Sequence, residues 1–211
     1  MVPRSSALVA TFLFFCRSVW STMKMTKEIL LDAPIIAAVK EDAELLRALE
    51  SPCQVVFLLY GNVVTVDSLV QRIHDRGKAC IVHIDLVDGL SGREIAVDGL
   101  VKLCRPDGII STKSFMIRRA RSLGLLAIQR VFLLDSLSLQ NILGQMDLQH
   151  PDFIEVLPGV IPSALWEITT AADIPVIAGG LIRSKQEVIQ ALQAGAVAVS
   201  TSCARVWDCL E

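Results

Sequence analysis

Aromatic residues are scarce in this sequence: one tyrosine, three tryptophans and seven phenylalanines amount to 5% of 211 residues. A surface that grips single-stranded nucleic acid by stacking its bases needs several such rings together, so that mode of binding is not expected. An excess of positive charge is missing too, since 20 lysines and arginines face 22 aspartates and glutamates for a net charge of −2. This balance excludes a basic coat for DNA or RNA and leaves room only for a local cationic cluster. The six cysteines, Cys16, Cys53, Cys80, Cys104, Cys203 and Cys209, form no C-x-x-C pair and have no histidine at metal-ligand spacing. Neither a zinc site nor a disulfide framework is indicated, and buried, reduced thiols of a cytoplasmic protein are expected.

Long apolar runs are also lacking. The stretch "SALVATFLFFC" between Arg4 and Arg17 falls well short of the roughly 20 residues that a spanning helix needs. No small-x-small cleavage pattern follows it, and the bulky Phe15 before Cys16 argues against lipoprotein processing. Residues 1–24 are therefore read as an N-terminal extension from an upstream start, with the working protein beginning near Met23 or Met25; a membrane anchor is the alternative. Residues 25–211 are read as one compact domain with no membrane partner, because a chain of this length supports one sizeable core.

What the chain has in quantity is aliphatic residues. It is 53% hydrophobic, mostly Val, Ile, Leu and Ala, which suits strands covered on both faces by helices. From Pro34 onward, short apolar runs alternate with amphipathic segments. "PIIAAV", "QVVFLLY", "ACIVHID", "DGIIST", "LLAIQRVF", "DFIEVLPG", "PVIAGG" and "AVAVSTS" read as strands, each followed by a helical segment. Gly77 reads as a helix stop, and Ser114 is placed to cap the helix "FMIRRARSLG". Eight such units predict an α/β fold, a (βα)8 TIM-type barrel, over a doubly wound sheet.

In such a barrel the ligand face is the one where strands end and βα loops begin. Period-2 alternation in "IVHIDL" assigns Ile81, His83 and Asp85 to the lumen. His83 is read as a satisfied core histidine. Asp85 is costly to bury without a partner, and Lys113, Arg130, Glu155 and Arg183 stand at other strand ends to meet it. A ring of alternating charge around one mouth suits a small polyhydroxylated anion; a set of lumen salt bridges holding the barrel shut would give the same pattern. After strands seven and eight, Gly179 and Gly180 allow close backbone approach. Ser200, Thr201 and Ser202 offer hydroxyls beside the next helical turn, so phosphate binding is expected there. In "KSFMIRRARS", Lys113, Arg118, Arg119 and Arg121 cluster along one helix and could meet RNA phosphates or simply water.

The segments "HIDL", "GIISTKS", "AIQRVFLLDS", "PDFIEVLPG", "PVIAGGLIR" and "AGAVAVSTS" together resemble the glycerol-3-phosphate-responsive antiterminator family, over Pro34 to Trp207. The resemblance implies a cytoplasmic, non-enzymatic sensor without a cofactor, which binds glycerol 3-phosphate and acts on the leader mRNA of glycerol-utilisation genes. It implies that Gly180 and the Ser200–Ser202 loop take the phosphate, that Pro158 and Gly159 shape the adjoining loop, and that Asp85, Arg130 and Glu155 lie near the glycerol. With so few aromatic residues, direct RNA contact is expected to need a homodimer or a ligand-induced loop rearrangement. The main alternative is a phosphosugar aldolase, isomerase or synthase in which Lys113 forms a Schiff base and a carboxylate moves protons. Against it, Lys113 is expected in a solvated loop, where nothing lowers its pKa. A plain protein-binding module is the third reading, since this fold hosts many activities.

Overall fold

Eight parallel strands close into a barrel in sequence order, each paired with the next and the last with the first, in a computed structural model that describes residues 28–209. The strands are β1 (Ile35–Val39), β2 (Val55–Leu58), β3 (Ala79–His83), β4 (Gly108–Ser111), β5 (Leu126–Phe132), β6 (Phe153–Leu157), β7 (Val176–Gly179) and β8 (Ala198–Thr201). The helices that follow them are α1 (Asp42–Glu50), α2 (Val66–His74), α3 (Ile95–Cys104), α4 (Ser114–Ser122), α5 (Ser136–Gln149), α6 (Pro162–Ala171), α7 (Lys185–Gln193) and α8 (Ala204–Trp207). This is the barrel that the eight strand signals predict. The proposed extension, with Cys16 and the candidate start Met25, lies outside the described residues.

Two concentric cores follow from strand periodicity. Ile36, Phe57, Ile81, Ile110, Ile128, Phe153 and Ile177 fill the lumen, while Ala37, Val56, Val82, Ile109, Ala127, Ile154 and Val199 meet the helices. A helical stretch at 28–32 places the fully buried Leu30 against the lumen cluster, closing the N-terminal end. Among the described residues the barrel floor is therefore packed side chain, and the lumen opens at the opposite end.

Local signals account for several boundaries. Gly77 takes φ +68° just beyond α2, the left-handed conformation that a helix stop favours. Ser114 is not a cap: it is the first residue of α4, Lys113 holds the N-cap position, and the Lys113 N–H donates to Ser111 Oγ at 3.0 Å. The hydroxyl that organises this helix start thus comes from the end of β4. Cys53, Cys80 and Cys104 are buried, Cys203 and Cys209 are partly exposed, and all five are free thiols.

At the closed end, Asp107 Oδ2 accepts from the Cys80 N–H at 2.8 Å and lies 2.9 Å from His74 Nε2. The hydrogen bond to Asp107 raises the His74 pKa above 6.5; partial burial opposes it, and the charges of Asp107 and Asp75 add to it. A raised folded-state value means that the stabilisation is fully present below about pH 6.5 and is lost as pH rises through the raised value. His74→Leu is expected to lower Tm most at pH 5.5–6 and hardly at all at pH 9, which a pH series of thermal melts would check. A penalty that grew with pH would contradict this pairing.

Candidate functional site

β5 and β6 pair with Arg130 opposite Glu155, and both side chains point into the lumen. Glu155 is 1% exposed. Its Oε2 accepts from Arg130 Nε at 2.7 Å, and its Oε1 accepts from Ser200 Oγ at 2.5 Å. One buried carboxylate therefore fixes a guanidinium on one side and a β8 hydroxyl on the other, as a buried charge requires. A Cβ at Gly179 would stand 2.7 Å from Glu155 Oε1 and 2.8 Å from Ser200 Oγ. Gly179 thus makes room for the protein's own network, where close ligand approach was the expected reason for it.

Gly180 is the glycine at the mouth itself. It adopts φ +74°, and Leu181 follows at φ +64°, a conformation that costs a non-glycine residue roughly 1–2 kcal/mol. The β7 and β8 loops are stitched together by Thr201, whose Oγ1 donates to the Ile182 carbonyl at 2.6 Å and accepts from the Cys203 N–H at 3.0 Å. The β6 loop joins them through Gly159, whose N–H donates to the Gly179 carbonyl at 2.6 Å after a cis Leu157–Pro158 bond. A Cβ at Gly159 would lie 2.8 Å from the Gly179 nitrogen, so that close crossing requires glycine.

These loops enclose a cleft of about 350 Å³ whose walls include Ala38, Leu59, Arg130, Glu155, Gly180, Arg183 and the Ser200–Ser202 run. Lys40, at the end of β1, also lines it, with Nζ 3.4 Å from Ser202 Oγ. Among the described residues neither Lys40 nor Arg183 takes part in an ion pair. With α8 only four residues long, the positive charge at this cleft comes chiefly from these two side chains. Sequence reasoning placed Arg183 at the mouth but missed Lys40, and the available signal was a lone lysine directly after an apolar strand. A second cleft of about 360 Å³ lies outside the barrel wall against α5, with Val131, Ile142 and Ile154 among its walls and Arg130 as its one charged residue. Its wall chemistry suits an anion less well.

Of the expected ligand residues, Asp85, Pro158, Gly159 and Gly179 do not line the first cleft. Asp85 lies past the end of β3 in the 3-10 turn Ile84–Leu86, where its Oδ2 accepts from Ser111 Oγ at 2.9 Å and from the Thr112 N–H at 2.8 Å. Lys113 Nζ stands 3.2 Å from Asp85 Oδ1, so this lysine is ion-paired where free solvation was expected. Burial works against the Asp85 charge, but the Thr112 N–H, Ser111 and Lys113 outweigh it and hold its pKa below the ordinary value. His83 does face the lumen, yet it is 3% exposed and its Nδ1 has no hydrogen-bond partner, unlike the satisfied histidine anticipated.

The basic helix divides its charges. Arg119 is paired with Asp98 of α3, and Arg121 donates to the His150 carbonyl, while Arg118 is exposed. Among the described residues no group of three or more candidate metal ligands occurs, and no helix is long and apolar enough to cross a membrane.

Residues 35–207 match the family described as "Glycerol-3-phosphate responsive antiterminator". The chain belongs to this family. The solved structure of a glycerol uptake operon antiterminator regulatory protein from Listeria monocytogenes is 38% identical, covers 82% of this chain and 94% of its own, and superposes with a TM-score of 0.79. A glycerol uptake operon antiterminator-related protein from Thermotoga maritima is 32% identical over 82% of this chain and 96% of its own, with a TM-score of 0.73. An uncharacterized protein of Escherichia coli K12, YgcP, is 42% identical over 174 residues, which is 82% of this chain and 91% of that protein.

Proposed function

We propose that this chain is a cytoplasmic sensor of glycerol 3-phosphate that acts on leader mRNA, without catalysis, metal or cofactor. The observation that carries the ligand site is the convergence of Lys40 and Arg183, both outside the ion pairs of the described residues, with Gly180 and the Ser200–Ser202 hydroxyls around one cleft of about 350 Å³. The phosphate would sit among these groups, and the glycerol would extend toward Arg130 and Glu155. Pro158, Gly159 and Gly179 support the cleft from behind. Lys113 speaks for a sensor over a Schiff-base enzyme, because its amine stands 3.2 Å from the Asp85 carboxylate and it does not line the cleft.

The cations of the Lys113–Arg121 segment are the proposed RNA contact, with Arg118 and Arg121 exposed and Arg119 held by Asp98. Asp85 links this segment to the mouth through Ser111, Thr112 and Lys113. Glycerol 3-phosphate shifts RNA affinity only to the extent that it binds the RNA-competent state more tightly. A homodimer would present two such helices to one RNA.

Binding of leader RNA, measured by fluorescence anisotropy across a salt series with and without glycerol 3-phosphate, tests this reading. Affinity should rise on adding the effector. Arg118→Ala combined with Arg121→Ala should reduce the slope of log K against log salt by about 1.4, the value for two single-strand phosphate contacts. An unaltered slope would place the RNA elsewhere, and an affinity indifferent to glycerol 3-phosphate would remove the sensor.

A further inference from the structure

The cleft of about 360 Å³ against α5 shares only Arg130 with the cleft at the mouth, and its chemistry is of another kind. Val131, Ile142 and Ile154 give it apolar walls, and Phe132, at the end of β5, lines it while remaining 48% exposed. Apart from Arg130, its polar groups are neutral. Two of them are spent on the protein itself: Gln129 Nε2 donates to the Thr112 carbonyl at 3.0 Å, and Ser138 Oγ holds the start of α5 together. The Asn141 amide, exposed on α5, and the Ser114 hydroxyl, at the start of α4, have no side-chain hydrogen bond among the described residues. Both remain open to a ligand.

Positive charge runs along one edge of this cleft. Ser114, Arg118 and Arg121, spaced i, i+4 and i+7, share one face of α4. Ser114 lines the cleft, and Arg121 reaches the His150 carbonyl, next to the cleft residue Pro151. Arg118 lies between them on that face, while Arg119 turns the other way to Asp98 of α3. Arg118 and Arg121 are exposed and belong to no ion pair among the described residues. Two unpaired charges thus border a neutral pocket with one open aromatic ring. The Asn141 amide presents a donor and an acceptor side by side, the pattern that a base edge matches. A strand whose phosphates are anionic and whose bases are flat, neutral and hydrogen-bonding complements both parts.

We propose that this cleft receives one unstacked base of a single-stranded RNA, with Phe132 against its face, Asn141 and Ser114 at its edge, and the adjoining phosphates on Arg118 and Arg121. This rests on the reading of α4 as the RNA contact. Proteins that read single-stranded RNA splay bases out onto aromatic side chains and hydrogen-bond their edges. One base needs only one ring, so the scarcity of aromatic residues, which excludes a stacking platform, is compatible with a single pocket. The arginines supply attraction to any backbone, and the pocket favours an unpaired strand over a duplex whose bases stay in the stack.

Fluorescence anisotropy with two RNA probes of about 12 nucleotides in saturating glycerol 3-phosphate tests the assignment. One is a single strand of mixed sequence holding all four bases, and the other is an abasic strand with the same backbone. The unmodified protein should bind the base-bearing strand roughly tenfold or more tighter than the abasic one. Phe132→Ala and Asn141→Ala should each cut that margin by about threefold or more, while leaving abasic affinity and the slope of log K against log salt unaltered. Phe132→Trp, which keeps a ring, should retain the margin. Both positions are exposed, so the variants should fold, and a cooperative thermal melt checks this. Equal affinity for the two strands, or a margin undiminished in either alanine variant, would overturn the base cleft while leaving the arginine contact intact. Failure of both strands to bind even at low salt would overturn the RNA reading of α4, and the base cleft with it.

Discussion

Arg130→Leu should destabilise the protein by about 3–5 kcal/mol, the usual consequence of stranding one member of a buried ion pair. The stranded group is the Glu155 carboxylate, 1% exposed, with only the Ser200 hydroxyl left from its two partners. Leucine offers the carboxylate no donor in exchange for the guanidinium, and the lumen neighbours Ile177 and Phe153 offer none either. The cost therefore comes from the charge left behind more than from the contact removed. Combining Arg130→Leu with Glu155→Leu should restore most of the stability, since apolar groups of similar volume replace buried ion pairs at little cost. Glycerol 3-phosphate binding should remain lost in both variants. Chemical denaturation with comparison of m-values measures both steps. A single variant that lost less than about 1 kcal/mol would show that Glu155 does not depend on Arg130.

Gly180→Val should abolish ligand stabilisation while leaving the barrel folded. Valine at φ +74° is strained by roughly 1–2 kcal/mol. Its Cβ would stand 3.2 Å from Leu157 Cδ2, the end of a flexible side chain that can shift. The fold survives this, but the shift drives Leu157 and a branched side chain into a cleft that Leu157 already lines. In the unmodified protein, effector at 100 times its Kd adds about 2.7 kcal/mol of stability, or roughly 5–10 °C in Tm for a domain of this size. In Gly180→Val the gain should be under about 1 °C. A full Tm gain in the variant would mean that the phosphate does not sit against the β7 loop.

Much of the candidate site is legible in the sequence. The inward orientation of Glu155 follows from alternation in "DFIEVLPG", because Ile154 and Val156 must meet the helices, and the barrel count follows from eight apolar runs. The resemblance to the antiterminators stands on whole motifs and is matched by the family over 35–207. Other features were hidden because they depend on which groups meet across loops. A lone lysine after an apolar strand is all that marks Lys40 locally, and it is barrel closure that pairs β1 with β8 and brings its Nζ to Ser202. The purpose of Gly179 was similarly invisible: its missing side chain serves a contact between residues 45 positions apart.

The charge of α4 shows the same division. Its sequence reveals a cluster of arginines, but only packing against α3 decides that Arg119 faces Asp98 while Arg118 faces water. Helical periodicity places each side chain on a face, and neighbouring elements decide what that face meets. The sequence by itself determined the strand-helix alternation, the apolar faces and the residue types gathered at the strand ends, because these depend on local periodicity and solubility. Tertiary structure alone decided which carboxylates are spent on the protein's own cations and which cations, Lys40 and Arg183, stand outside the ion pairs of the described residues at the open cleft, because pairing across a closed barrel is set by register between strands far apart in the chain.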